Sequence, residues 1–278
     1  MELREYIIAR DESLMRLIPP GQAIFGSTPD EIKRAILLDK EGELFSLENE
    51  CPQFCAFIPA YYFGVYAITN QQFARFLSST RPSTAVLNVW NPWREMIRLP
   101  LRQSDDYVVT SGFERHPVTH VSWLGAQAYC LWAGLRLPTE IEWEKAARGT
   151  DGRIFPWGDQ WASENLCWYG SHPETEDTVP ADSFENGRSP YGIYQMAGNV
   201  EEWCADWYHP HIYEQYASNV LTPPSHGRER VVRGGNCFRR NKLEFRCAMR
   251  RGNKPAFANI LLTGIRCAAD GALSQASA

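Results

Sequence analysis

The sequence predicts an α+β fold of few helices, short strands and long ordered loops. Three observations carry that prediction. Ten Trp, twelve Tyr and thirteen Phe are spread over 278 residues together with 20 Gly and 18 Pro, a mixture that favours short strands joined by ordered turns. Thr69-x-x-Gln72 and Thr139-x-x-Glu142 are capping boxes, each opening a run of apolar residues at helical spacing. Hydrophobic residues make up 44% of the chain, ample material for a core, yet no apolar run approaches the roughly 20 residues a membrane span requires.

The elements follow in order. Residues 1–16 read as an N-terminal arm, a short helix or extended segment, leading to Leu17-Ile-Pro-Pro-Gly. Gln22-Ala-Ile-Phe-Gly-Ser alternates as a strand does, with Gly26-Ser as its turn. Residues 28–55 read as a charged surface helix and a loop. Phe57 to Ile68 is rich in aromatic and β-branched residues and reads as strand. Thr69 then caps a helix whose buried face carries Phe73, Phe76 and Leu77. From Ser78 to His116 the tryptophans and prolines show no clean period, and a long loop packed through its tryptophans is expected. Ser122 caps a helix with Trp123, Ala126, Cys130 and Leu131 on its apolar face, ended by Gly134. Thr139 caps a second, with Trp143, Ala146 and Ala147 behind it and Gly149 as terminator. Beyond Thr150 the chain reads as irregular, with strand character around compact turns from Tyr191 to Trp207; residues 271–278 are expected to fray.

Composition narrows the function classes. A net charge of −5 gives no whole-protein pull toward nucleic acid or an acidic membrane surface, so neither partner is expected. The N-terminus alternates charged with apolar residues and lacks an apolar signal core, which points to a cytoplasmic protein. Its eight cysteines form no C-x-x-C pair; Cys51 and Cys55 have no matching pair at zinc spacing, so reduced, buried thiols are expected. Among six histidines, His116 and His120 are denied one helical face by Pro117, and no histidine metal triad stands out.

In sequence, IPPGQAIFGS, YYFGVYAITNQQFARFL, HPVTHVSWLGAQAYCLWAGLRLPTEIEWEKAARG, FPWGD, YGIYQMAGNVEEWCADWY, RVVRGG and GIRCAAD resemble segments of the formylglycine-generating enzyme (sulfatase-modifying factor) family. The resemblance spans residues 17–270 and implies that family's variant of the C-type lectin fold. It also implies a chemistry in which two cysteines five residues apart hold copper(I), a soft ion suited to sulfur. Counted back from Arg246-Cys247-Ala248, the first family cysteine falls on Cys237 and the second on Lys242. A protonated ammonium has no lone pair to give a metal, so the resemblance leaves Cys237 as a catalytic candidate without its partner, and copper is not expected. In the family the loop matching Ala197-Gly-Asn-Val-Glu-Glu-Trp holds calcium. The ligands here would be the carbonyls of Ala197, Gly198 and Val200 and the Glu202 carboxylate; the alternative is a salt-bridged Glu202 that needs no ion. Cys130 and Cys267 match family positions that can form a disulfide.

The family's ligand-facing surface corresponds to residues 236–262. Here that window carries Phe238, Arg239, Arg240, Lys242, Phe245, Met249, Arg251, Lys254, Phe257 and Ile260. Aromatics and arginines suit a peptide or protein ligand because they bury large areas while hydrogen-bonding. The alternative, that Phe245, Met249 and Ile260 are core and the basic residues merely solvated, stays open on sequence. The pattern also resembles the variable proteins of diversity-generating retroelements, which use this scaffold for binding. Two functions follow: a non-catalytic recognition module, or an oxygen-dependent oxidase acting on peptidyl cysteine through Cys237.

Overall fold

A computed structural model describes residues 4–38, 47–92, 106–170, 177–256 and 262–271. In chain order its elements are β1 (Glu5–Ile7), β2 (Leu14–Ile18), β3 (Gly21–Phe25), α1 (Pro29–Leu38), β4 (Phe54–Ile58), β5 (Tyr61–Gly64), α2 (Asn70–Thr80) and α3 (Thr84–Trp90). The second half adds α4 (Trp123–Ala133), α5 (Glu140–Arg148), β6 (Glu201–Trp207), α6 (Ile212–Ala217), β7 (Arg230–Arg233), β8 (Arg251–Asn253), β9 (Thr263–Gly264) and β10 (Ala268–Asp270). Short strands, few helices and long loops make the α+β architecture the sequence predicts.

Three sheets organise the chain. The first has the order β1-β2-β5-β10, every pair antiparallel; β3 and β4 form a separate antiparallel pair. The third has the order β8-β7-β6-β9, with β9 parallel to β6. The segment expected to be an N-terminal arm is thus two strands of the first sheet, because Met15 and Ile18 are fully buried there and their backbones pair with β5. The aromatic stretch at 57–68 is likewise not one strand: Pro59-Ala60 breaks it between β4 and β5.

The helices begin where their caps are. Thr69 and Thr139 each accept from the N3 amide while the N3 side chain reaches back, closing both capping boxes. Ser122 accepts from Gly125 N, and Gly134 ends α4 at φ 75°. On α4, Leu131 is 70% exposed, so the buried face runs through Trp123, Ala126, Tyr129 and Cys130 instead. Within the expected loop at 78–116, Ser83 caps α3, and Trp90 at its end stacks on Phe76 with ring centroids 5.1 Å apart.

Two main cores result. One packs α2 and α4 against Trp203, Val232 and Ile265; the other gathers Phe25, Phe54, Tyr61, Phe63, Trp143, Tyr213 and Val231. Each such side chain contributes about 1.5–3 kcal/mol on burial.

Candidate functional site

The arginines of residues 230–270 divide into an inward and an outward set. Arg233, Arg246, Arg250 and Arg266 are buried, and each has a carboxylate. Arg233 Nη2 lies 2.6 Å from Glu144, and Arg250 reaches Glu140 through Nε at 2.7 Å and Nη2 at 2.8 Å. Arg246 pairs with Glu50 at 2.6 and 3.0 Å, and Arg266 with Glu202 at 2.6 and 2.9 Å. A buried ion is tolerated only when paired and hydrogen-bonded in this way. Burial alone would raise the pKa of Glu144, but Arg233 and Arg148 outweigh it and hold the carboxyl below its ordinary value. These pairs are structural.

The outward set builds the face on which ligand contact is expected. Arg239 and Arg251 both pair with Glu201 and Glu244, two buried carboxylates at its floor. Burial, against the pull of Arg239 and Arg251, raises the pKa of Glu244. Arg240 is exposed, with its guanidinium 3.8 Å from the Tyr169 ring centroid, and the Lys242 ammonium lies 5.7 Å from that of Trp161. Lys254 is exposed and Phe238 half-buried. Two expected surface residues are core. Phe245 is fully buried among Phe155, Leu166 and Ala197 with Trp161 and Trp168 against it, and Met249 packs with Ile32, Ala35 and Leu243. For Phe245 the 3-10 turn at Lys242–Phe245 explains this: Asn241 caps it, and its short pitch sends Leu243 and Phe245 inward while Lys242 stays half-buried. Phe257 and Ile260 lie outside the described residues.

Cys237 follows a glycine pair bent by positive φ, 93° at Gly234 and 69° at Gly235; a Cβ on Gly235 would meet the Glu244 carbonyl at 3.0 Å. Its thiol is 4% exposed and hydrogen-bonds that of Cys167, itself 1% exposed. That bond, then burial, then the charge of Asp177 push the Cys237 pKa well above the ordinary thiol value. A resting thiolate at Cys237 is therefore disfavoured. Cys247 does not join it: that side chain belongs to the core with Phe25 and Trp143, and burial lifts its pKa to about 12. Cys167, Trp161, Tyr169 and Glu201 had no sequence signal as site residues, because each meets the 236–254 segment only through the tertiary fold.

The calcium expectation can be tested on the donors themselves. Glu202 is buried, and its carboxylate accepts from Arg266 and, at 2.7 Å, from Trp143 Nε1. The salt-bridged alternative is thus the arrangement present. With its charge already matched by a guanidinium, the Ala197, Gly198, Val200 and Glu202 set does not fit a calcium ion. Among the described residues there is no cluster of three or more His, Cys, Asp and Glu suited to a metal. Cys130 and Cys267 stand side by side as free thiols, Sγ to Sγ 3.4 Å. A cavity of about 470 Å³ opens between the first sheet and α2, lined by Asp11, Ser13, Tyr66, Gln72, Arg75 and Arg115 among others; none of the expected surface residues lines it.

Comparison with known proteins agrees with this architecture. Residues 9–271 match the sulfatase-modifying factor enzyme 1-like domain. The formylglycine-generating enzyme of Bos taurus is 33% identical over 91% of this chain and 74% of its own length. The serine/threonine-protein kinase Pkn1 of Chlamydia trachomatis is 37% identical over 80% of this chain, which spans only 35% of that kinase. Among solved structures, PvdO from Pseudomonas aeruginosa superposes with a TM-score of 0.72 at 19% identity, covering 96% of this chain and 98% of its own. With that domain matched over residues 9–271 and a formylglycine-generating enzyme 33% identical along 91% of the chain, the chain belongs to the sulfatase-modifying factor (formylglycine-generating enzyme-like) family.

Proposed function

We propose that the chain is a non-catalytic recognition module, taking a peptide or protein ligand on the face formed by Phe238, Arg239, Arg240, Lys242, Arg251 and Lys254 with Trp161 and Tyr169. One observation carries this reading: Lys242, on which the family's second metal-binding cysteine falls when counted back from Arg246-Cys247-Ala248, lays its ammonium against Trp161. A cation over an aromatic ring, next to Arg240 over Tyr169, is the chemistry of an interface and cannot donate to a metal. Because Glu201 and Glu244 already neutralise Arg239 and Arg251, the positive charge offered to a ligand comes from the exposed Arg240 and Lys254. Such a face suits acidic peptides with an aromatic residue.

An array of acidic, aromatic-containing peptides probed with the full chain tests the proposal. Binding should weaken with added salt and fall about tenfold in Arg240→Glu or Tyr169→Ala. A chain that captures no peptide above background, or whose binding ignores both substitutions, refutes it. The second reading, oxidation of peptidyl cysteine through Cys237, is favoured by the thiol of Cys167 beside it. Oxygen consumption that depends on a cysteine peptide and disappears in Cys237→Ser would establish that reading in place of the first.

A further inference from the structure

We infer that the cavity between the first sheet and α2 is a binding site for an aliphatic diamine, whose two ammonium groups answer two carboxylates the protein leaves unmatched. Its volume of about 470 Å³ is usual for a small-molecule site. Its charged lining sets four carboxylates, Asp11, Glu12, Glu114 and Asp182, against two guanidiniums, Arg75 and Arg115. Both guanidiniums are already engaged: Arg75 lies 3.3 Å from Glu12, and Arg115 pairs with Asp182. Asp11 and Glu114 have no ion-pair partner among the described residues. The lining therefore carries a surplus of two negative charges. Its wall is fixed, because Gln72 Nε2 donates to Asp11 O and to Ser13 Oγ, both at 3.1 Å, tying α2 to the turn before β2.

Asp11 supplies the stronger half of the attraction. It is fully buried and accepts from Ser13 N at 3.0 Å, Ser13 Oγ at 2.7 Å and the Tyr129 hydroxyl at 2.5 Å. Burial, then the negative charge of Asp11, raises the pKa of Tyr129, which stays a neutral donor. Such donors fill the lone pairs of Asp11 without cancelling its charge, and a buried charge with no counter-ion is costly. An ammonium admitted to the cavity offsets that cost through protein rather than water, where screening is weak. Glu114, half-buried, supplies the other half: one carboxylate oxygen accepts from Gly112 N at 2.9 Å, and the second is open to a ligand. Between the charges, Met15, Ile68 and Ala181 line the cavity and suit methylene groups, and the Tyr66 ring is an aromatic neighbour for a cation. Burial, then Tyr194, raises the pKa of Tyr66, so this phenol adds no further negative charge. No three His, Cys, Asp or Glu side chains converge on one point among the described residues, so a bare metal ion finds too few ligands, whereas two ammonium groups on an alkyl chain can meet the carboxylates singly. The site lies apart from the recognition face and does not rest on that reading.

The test is calorimetric titration of the full chain with cadaverine, with pentylamine and glutarate as controls of matched length. Cadaverine is expected to bind one to one, pentylamine more weakly because it answers one carboxylate, and glutarate not at all. Glu114→Gln, at the rim, should weaken cadaverine by about tenfold, the loss of one charged hydrogen bond. Asp11→Asn should weaken it as well; should that buried change unfold the chain, the Glu114 variant and the two controls still decide. No saturable binding up to about 10 mM, glutarate binding as tightly as cadaverine, or an affinity that ignores Glu114→Gln would overturn the inference. So would a lysine-containing peptide preferred over the free diamine, since the ammonium would then belong to a partner protein. Capture of acidic peptides is read separately on the same Glu114→Gln variant, and its presence or absence leaves the diamine result untouched.

Discussion

Asp206 on β6 accepts from the Glu140 amide at 2.8 Å, and burial, followed by the negative charge of Glu140, pushes its pKa from 3.8 up to about 7. Between those two values the folded chain holds a proton that the unfolded chain has released. This group's contribution to stability therefore falls as pH rises from about 4 to about 7, and is level above that. Asp206→Asn keeps an oxygen for the Glu140 amide and removes the titration. In urea denaturation the variant should gain on the wild type across that window by up to about 4 kcal/mol; a difference that does not change with pH would show that Asp206 is ionised throughout. Glu202 leads to a second expectation. Held by Arg266 and Trp143, it should leave the melting temperature unmoved by excess calcium or by a chelator, and a rise with calcium would mean the carboxylate turns outward to the ion. The role of Asp206 had no signal in the sequence, because its partner Glu140 lies 66 positions away and meets it only in the fold. Glu202 could be left between two readings, but its partner lies 64 positions away and only the fold supplies it.

The helices opened by Thr69, Ser122 and Thr139 were legible because their signals are local. Thr139 and Glu142 lie three residues apart, and both bonds of the box form, at 3.3 and 2.8 Å. Thr139→Ala should cost about 1 kcal/mol, read as a shift in urea midpoint at constant slope; no loss would mean the helix start is held by tertiary packing alone. The strands were harder. β1 and β2 were read as an arm because each is short, and what makes them strands is the pairing of β2 with β5, more than 40 residues later, and of β1 with β2. In α3, seven residues give too little period to separate helix from loop, though Ser83 supplies the cap. Two of the ten candidate surface residues, Phe245 and Met249, are core; the sequence left both open, and for Phe245 the deciding feature is a 3-10 turn, whose pitch differs from either regular element and points it inward.

Across the whole molecule, α4 and the segment leading into β10 meet at Cys130 and Cys267, 3.4 Å apart. Joining them closes a loop of more than a hundred residues around the first core. Oxidation with diamide should raise stability by about 2–4 kcal/mol in the wild type and leave Cys130→Ser unchanged. Both thiols are buried, so the reaction should be slow; an oxidised chain with unaltered stability would place the link elsewhere. The α+β class and the family were legible at this scale because they rest on many short segments in a fixed order. The Cys167–Cys237 contact was not, since no spacing rule relates residues that meet only across two loops.

The ion pairs of α5 also bear on how the chain is made. Glu140 and Glu144 are buried on that helix, and the guanidiniums that neutralise them include Arg233 and Arg250, about a hundred residues downstream. During synthesis α5 emerges first, with carboxylates that cannot be buried until those arginines arrive. The first half of the chain must wait, partly solvated, for residues 230–266 to leave the ribosome, so the domain completes itself late and all at once. A ribosome-tethered chain stopped at residue 229 should be cut readily by protease around α5, and one extended past residue 271 by a tunnel-length linker should resist.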